Sequence, residues 1–201
     1  MKVRVILLLL FLSLGLEQAL CYDQLYGRPG YKDTQVLSLW GNAAAVSYAR
    51  GTELRLAAYS AVAGGAHVRG WLHKDFTWNG ASGPARARFD FALCAEVATG
   101  TSHSSVEIKV KGFLRDVSTA QYPVKVTLYR YYRASPGYKV FVHGDVVNKN
   151  IDMVEGHKYT MGYTVDVSAT CYPRSYCPMA GANMGEKGCS FWWQPTGVYQ
   201  G

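Results

Sequence analysis

The chain has 201 residues, a formal net charge of +7 and 49% hydrophobic residues. This length fits a single domain that can bury its own core and needs neither a metal nor a second subunit to fold. The basic residues are dispersed and form no run of five. Dispersion favours a generally basic surface over a dedicated polyanion groove, and it gives no reason to expect nucleic-acid binding.

The N-terminus has the pattern of an export signal. Lys2 and Arg4 precede an apolar run over 5–12, and residues 19–21 (Ala-Leu-Cys) supply the small side chains of a cleavage site. We therefore predict a secretory signal peptide over 1–21 and a secreted protein. A membrane anchor is the alternative, but the apolar run is shorter than the roughly 20 residues of a spanning helix. No membrane span is expected after cleavage.

Cleavage would leave a mature domain over 22–201 with an even number of cysteines, which predicts two disulfides in an oxidising compartment. The four cysteines are Cys94, Cys171, Cys177 and Cys189. Three connectivities are open. A bond between Cys171 and Cys189, with Cys94 joined to Cys177, would close the neck of the segment between them. A zinc site is disfavoured because no C-x₂-C pair is present.

Alternation of apolar and polar residues dominates the mature sequence. Over 85–97 the odd positions are apolar, and most even positions are polar or charged. Similar alternation recurs over 106–111, 124–129 and 158–168. Turn dipeptides separate these segments, so we predict an antiparallel β-sandwich or jelly roll of eight or nine strands. Residues 43–50 are compatible with either a helix or a strand.

Two segments do not show this alternation. Residues 22–33 are interpreted as an irregular lead-in. Residues 171–189 are predicted to form a long loop that carries three of the cysteines. Loops of this length in compact domains are usually functional or disordered, and two disulfides would give this one a fixed shape. It is therefore the first place to expect a binding surface.

Aromatic residues provide the candidate ligand site. Tyrosines and arginines alternate in the segment YRYYR at 129–133, and alternation places Tyr129 and Tyr131 on the polar, exposed face of their strand. Exposed rings can stack on sugars or on another subunit, although cross-strand pairing would explain them equally well. Of the adjacent Trp192 and Trp193, one is expected in the core and the other at the surface. The predicted ligand-binding residues are Tyr129, Arg130, Tyr131, Tyr132, Arg133 and Trp193.

No catalytic motif is recognisable, so no catalytic residue is assigned. The histidines fall on separate predicted strands and turns, which disfavours a shared metal site. Four oxygen-bearing side chains lie close together in the sequence and define an alternative calcium site: Asp145, Asn148, Asn150 and Asp152. We favour a polar hairpin turn there, because Asn and Asp suit turns for backbone reasons. No cofactor other than calcium is considered.

Three functions follow from these patterns. The leading hypothesis is a secreted, non-catalytic binding or surface-associated protein whose partner is a carbohydrate or cell-surface polymer. The second is a structural subunit of an extracellular filament, sheath or coat, which would self-assemble through edge strands and exposed aromatic rings. The third is an enzyme acting on polysaccharide, since a fold alone does not exclude catalysis.

Overall fold

A computed structural model describes residues 29–172, 177–185, 189–194 and 196–200. The predicted signal peptide over 1–21 lies outside these residues. Ten antiparallel strands account for most of the described chain, and within it no helix is long and apolar enough to cross a membrane. The strands are β1 (Tyr31–Arg50), β2 (Glu53–Thr77), β3 (Gly83–Thr99), β4 (Ser104–Asp116), β5 (Gln121–Arg133), β6 (Gly137–Met153), β7 (Lys158–Cys171), β8 (Ala180–Met184), β9 (Phe191–Trp193) and β10 (Gly197–Gln200).

The strands form two facing sheets, which confirms the predicted β-sandwich. The front sheet has the order β1-β2-β7-β4-β5 and uses residues 64–77 of β2. In the back sheet β6 pairs with β3, and β3 then pairs with β8, β9 and β10. The back sheet also includes residues 53–60 of β2, which pair with β8 and β9. The count exceeds the predicted eight or nine because β8 and β10 are too short for alternation to indicate them.

Strand β2 belongs to both sheets, so the chain must bend sharply where β2 leaves one sheet and joins the other. Val62 has a positive φ of 59°, and Gly41 in the paired strand has φ 61°. At Gly64 a Cβ would contact the backbone of Trp40 and Asn42 at 2.8 Å, a distance that a side chain cannot tolerate. Only glycine therefore fits at this crossing.

The core lies between the inner faces of the two sheets. Odd-numbered side chains of β3 and β7 are buried, and so are the even-numbered ones of β4, as strand alternation requires. At Gly70, in the front-sheet half of β2, a Cβ would contact the side chains of Leu54 and Leu56 from the back-sheet half. The two halves of one strand thus face each other across the core.

Tyr163 connects the two sheets at their centre. Its ring, on β7, lies 5.9 Å from Phe89 and 6.1 Å from Phe91 of β3, measured between centroids. Its hydroxyl donates a hydrogen bond to the carbonyl of Asp90 at 2.8 Å and shares another with Thr196. Burial raises the pKa of Tyr163 well above its usual value, although these hydrogen bonds act in the opposite direction. The phenol is therefore neutral at physiological pH.

The disulfides join Cys94 to Cys189 and Cys171 to Cys177. Two bonds were predicted, but the pairing of Cys171 with Cys189 is wrong. The chain after Cys177 returns to the back sheet and forms β8 beside β3. This return brings residue 189 next to β3, where the amide of Cys94 donates to the carbonyl of Ser190 at 2.9 Å.

The strands correct two local predictions and decide a third that the sequence left open. The predicted loop over 171–189 contains β8, whose five residues are all buried. Residues 43–50 belong to β1 and are therefore a strand, not a helix. The predicted lead-in over 22–33 overlaps β1 from Tyr31 onwards, and residues 22–28 lie outside the described chain. In each case, pairing with a neighbouring strand stabilises an extended conformation that local composition did not indicate.

Removing the Tyr163 hydroxyl should loosen the contact between the sheets. We expect Tyr163→Phe to lower the free energy of unfolding by about 1 kcal/mol, since a neutral hydrogen bond is lost while the ring packing remains. Urea denaturation followed by tryptophan fluorescence measures this change. Tyr122→Phe is the matched control because Tyr122 is 50% exposed, and it should change stability little. Equal stability of both variants would contradict the role of Tyr163.

The disulfide pairing can be read from tryptic peptides without reduction. Trypsin should yield peptides 89–109, 159–174, 175–187 and 188–201, each with one cysteine. We expect 89–109 to be linked to 188–201, and 159–174 to 175–187. Mass spectrometry distinguishes this pattern from the alternative. A link between 159–174 and 188–201 would overturn the observed pairing.

Candidate functional site

A β-bulge places the predicted tyrosines differently from the sequence expectation. The pairing of β4 with β5 shifts between Val110–Tyr129 and Lys111–Thr127, so Leu128 has no partner of its own. A bulge of one residue reverses which side chains face the core. Tyr129 and Tyr131 therefore face inwards, and their predicted exposure is wrong.

These two tyrosines fill the open side of the sandwich between β5 and β6. Tyr129 stacks on His143 with centroids 4.2 Å apart, and Tyr131 stacks on Phe141 at 4.8 Å. Both pack against the hydrophobic core, and burial raises the pKa of Tyr129. Their contacts are those of aromatic pairs that stabilise packing.

The other predicted residues of this segment divide between the turn and the outer face of the front sheet. Arg133 donates hydrogen bonds to the carbonyls of Ser135 and Pro136, so it supports the turn before β6. Arg130 donates to Glu107 at 2.6 Å. Tyr132 lies opposite Glu107 in the register and is 56% exposed.

The tryptophan pair near the C-terminus is split between core and surface, as predicted, but the surface residue is Trp192. Trp193 is 6% exposed and packs edge-on against Tyr163 at 5.2 Å, so it lies in the core and not at the surface. Trp192 lines a hollow of about 730 Å³ on the back sheet, together with Tyr48 and the Arg55–Glu53 ion pair. In β9 adjacent side chains point to opposite faces, and the inner position is taken by Trp193.

The four residues of the alternative calcium site lie in one continuous strand. Asp145, Asn148, Asn150 and Asp152 all belong to β6, so the predicted hairpin turn is wrong. Alternation places Asp145 on the opposite face from the other three, which spread over about 13 Å. Among the described residues, no group of three or more His, Cys, Asp or Glu side chains could hold a metal ion.

The outer face of the front sheet has a groove that sequence reasoning missed. The groove has a volume of about 600 Å³, and a second hollow of about 480 Å³ adjoins it and shares Trp71 and His73. We call the larger one the front groove. Residues that line it include Arg69, Trp71, His73, Asp75, Lys111, Phe113, Arg115, Tyr122, Lys125, Thr160 and Thr164.

Flat rings form the hydrophobic part of the front groove. In the strand register, His73 lies beside Gly162, which lies beside Phe113. Because Gly162 has no side chain, the rings of His73 and Phe113 approach to 6.3 Å across the intervening strand. On the side of His73 away from Phe113, Tyr31 stacks on the His73 ring with centroids 4.4 Å apart. Trp71 occupies the preceding outward-facing position of β2, two residues before His73. A series of rings on β1, β2 and β4 thus spans four adjacent strands, because β7 lies between β2 and β4.

One buried carboxylate organises the basic residues at the end of the groove. Asp166 is 7% exposed and accepts hydrogen bonds from Arg69 at 2.6 Å and Lys111 at 3.3 Å; His67 lies 3.1 Å away. Burial alone would raise the pKa of Asp166, but hydrogen bonds from His67 and Arg69 and the positive charges lower it below its usual range. Asp166 is therefore ionised and holds Arg69 and Lys111 in place.

The remaining polar groups vary in charge and exposure. Burial lowers the pKa of His73, and nearby Asp75 only partly offsets this effect, so His73 is neutral at physiological pH. Asp75 is exposed and accepts a hydrogen bond from Thr160 at 2.6 Å. Arg115 and Lys125 both lie over the ring of Tyr122, at 5.7 and 5.5 Å from its centroid. The groove therefore offers rings, hydroxyls and cations on one surface.

Comparisons with known proteins find only distant structural matches for this chain. No protein-family model and no curated protein matches the chain. Among solved structures, carbohydrate-binding modules of the β-sandwich superfamily match at 10% identity and TM-score 0.27, over 85% of this chain and 58% of that one. TmCBM61 in complex with β-1,4-galactotriose matches at 9% identity and TM-score 0.30, over 87% and 92% of the two chains. A family 22 module of Clostridium thermocellum Xyn10B matches at 12% and 0.26, over 85% and 95%. Similarity this low assigns neither a family nor a ligand.

The ionised state of Asp166 has a consequence for acid stability. Its pKa is lower in the folded chain than the roughly 3.9 of an unfolded Asp, so its stabilising effect is present above pH 4 and is lost as the pH falls through the folded value. Asp166→Asn should therefore cost about 2 kcal/mol at pH 7 and reduce the loss of stability below pH 4. Denaturant unfolding at a series of pH values tests this.

Asp152→Asn is the matched control, because Asp152 is an exposed carboxylate on β6. We expect it to keep the acid dependence of the wild-type protein. An unchanged acid slope in Asp166→Asn would show that the buried carboxylate does not control it.

Proposed function

We propose that this protein is a secreted carbohydrate-binding β-sandwich whose ligand site is the front groove. The observation that carries the proposal is the series of rings from Tyr31 through His73 to Phe113, with Trp71 beside it, on an open sheet face. Flat aromatic rings suit the apolar faces of sugar rings. The hydroxyls of Thr160 and Thr164 and the charged side chains can hydrogen-bond to sugar hydroxyl groups.

The shape of the groove suits an extended ligand better than a small molecule. It is open along the sheet, and the adjoining hollow continues it towards β1. The centroids of Tyr31 and His73 lie 4.4 Å apart and those of His73 and Phe113 lie 6.3 Å apart, so the rings can contact successive sugars of one chain. A polysaccharide or oligosaccharide is therefore the proposed ligand class.

The extracellular location is part of the proposal. Two disulfides between described cysteines suit an oxidising compartment. The apolar N-terminal segment of the sequence has the pattern of an export signal. Both features are consistent with contact between the groove and a polymer outside the cell.

A binding role is better supported than hydrolysis of the same polymer. A general acid must carry a proton near neutral pH. Asp166 is ionised because its cationic neighbours lower its pKa, so it does not carry that proton. This carboxylate therefore supports holding a sugar chain more than cleaving one.

Self-assembly remains a second candidate because of β1. Within the described chain this strand pairs with β2 alone, so its other edge is open. Val36, Leu39 and Trp40 of this strand are 43–54% exposed. An exposed apolar edge strand can pair with another chain. A protein that remains monomeric at high concentration in analytical ultracentrifugation would eliminate this candidate.

Removing one ring of the front groove should weaken polysaccharide binding without unfolding the protein. We expect Trp71→Ala or Tyr122→Ala to reduce affinity by about three- to tenfold, which corresponds to the loss of one aromatic contact. Affinity electrophoresis in gels containing single polysaccharides, followed by isothermal titration calorimetry, measures the change.

The control is Tyr138→Ala, which removes a ring that is 61% exposed on β6. It should bind like the wild-type protein. Absence of wild-type binding to every neutral and acidic polysaccharide tested would overturn the proposed function. Equal losses in Tyr138→Ala and Trp71→Ala would move the site away from the front groove.

A further inference from the structure

We infer that the front groove selects an acidic polysaccharide, a polymer that carries carboxylate or sulfate groups along its sugar chain. This inference rests on the proposed function and adds the charge of the ligand to it. It depends on how cations are distributed along the groove. Among the residues that the structure describes, four basic ones line the groove: Arg69, Lys111, Arg115 and Lys125.

The carboxylates near the groove do not neutralise these cations. Asp166 is a single negative charge that both Arg69 and Lys111 contact. At the other end, neither Arg115 nor Lys125 forms a salt bridge with a described residue, and both lie over the ring of Tyr122. Asp75 is the acidic residue among those that line the groove. Four cations therefore face two carboxylates, and the surface has an excess of positive charge.

The spacing of the cations indicates a polymer rather than a small anion. Lys111 and Arg115 are four residues apart on β4, which corresponds to about 13 Å, and Phe113 lies between them on the same face. One carboxylate or sulfate cannot contact both positions. A chain that alternates flat apolar surfaces with repeated anionic groups matches the order of cation, ring and cation.

Single-stranded nucleic acid presents a similar combination of rings and negative charges. The predicted secretion and the two disulfides favour a polymer encountered outside the cell, so we commit to polysaccharide. Nucleic acid becomes an outcome of the test.

The experiment measures affinity of the full mature protein at low and physiological salt. The carboxylate probe is polygalacturonate, the sulfate probe is dextran sulfate, and the neutral probes are galactan and xylan. We expect tighter binding to at least one acidic polymer than to either neutral one. This binding should weaken as salt rises, because exposed charges are screened within about 8 Å at physiological ionic strength.

Substitutions test whether the preference for acidic polymers depends on the cations of the front groove. Arg115→Gln combined with Lys125→Gln should weaken acidic-polymer binding by about fivefold, as expected for two exposed ion pairs, and should weaken neutral-polymer binding by a smaller factor. Arg86→Gln combined with Lys139→Gln is the control; it removes the same charge from exposed positions on β3 and β6. Equal losses in the two double variants would contradict the inference.

The remaining outcomes separate this inference from the proposed function. Binding to neutral polymers that equals or exceeds binding to both acidic ones would overturn the inference and leave the proposed function standing. Binding to no polysaccharide would overturn both. Tighter binding to a single-stranded oligonucleotide than to any polysaccharide would replace the ligand class.

Discussion

Tyr163 is the contact on which both the fold and the proposed site depend. Its ring occupies the centre of the core, and its hydroxyl bonds to the backbone of β3 in the opposite sheet. β7 is a central strand of the front sheet, so this contact fixes the position of the sheet from within. One sequence neighbour is Gly162, and the side chain of Thr164 on the other side points outwards by alternation and lines the front groove.

The groove is therefore the reverse side of a tightly packed sheet. Its rings do not need a loop to hold them, because hydrogen bonds between β2, β7 and β4 set their separation. Gly162 leaves room for the rings because it has no side chain. A Cβ at this position would collide with the backbone at Leu72 and with His73. Rings on a rigid sheet lose little conformational freedom when a ligand binds, and this favours affinity.

Alternation in the sequence was sufficient to predict the sandwich and the buried faces of β3 and β7. It failed at β5, because one bulge near Leu128 reversed the orientation of Tyr129 and Tyr131. The groove could not be predicted, since its residues come from four strands whose order in the sheet is set by pairing over long distances. A partial signal was present in β2, where Arg69, Trp71, His73 and Asp75 occupy consecutive odd positions on what proved to be the outer face.

The positive charge of the front groove also depends on strand pairing. Four described basic residues that lie apart in the sequence line the front groove, because antiparallel pairing places the outward positions of β2, β4 and β5 on one surface. Asp166 does not remove this charge. It positions Arg69 and Lys111 by desolvated hydrogen bonds, which are stronger than ion pairs in water, and leaves Arg115 and Lys125 without a carboxylate partner in the described chain. A buried anion thus fixes the geometry of one end of the groove, while Arg115 and Lys125 at the other end are the cations that the inferred acidic ligand would contact.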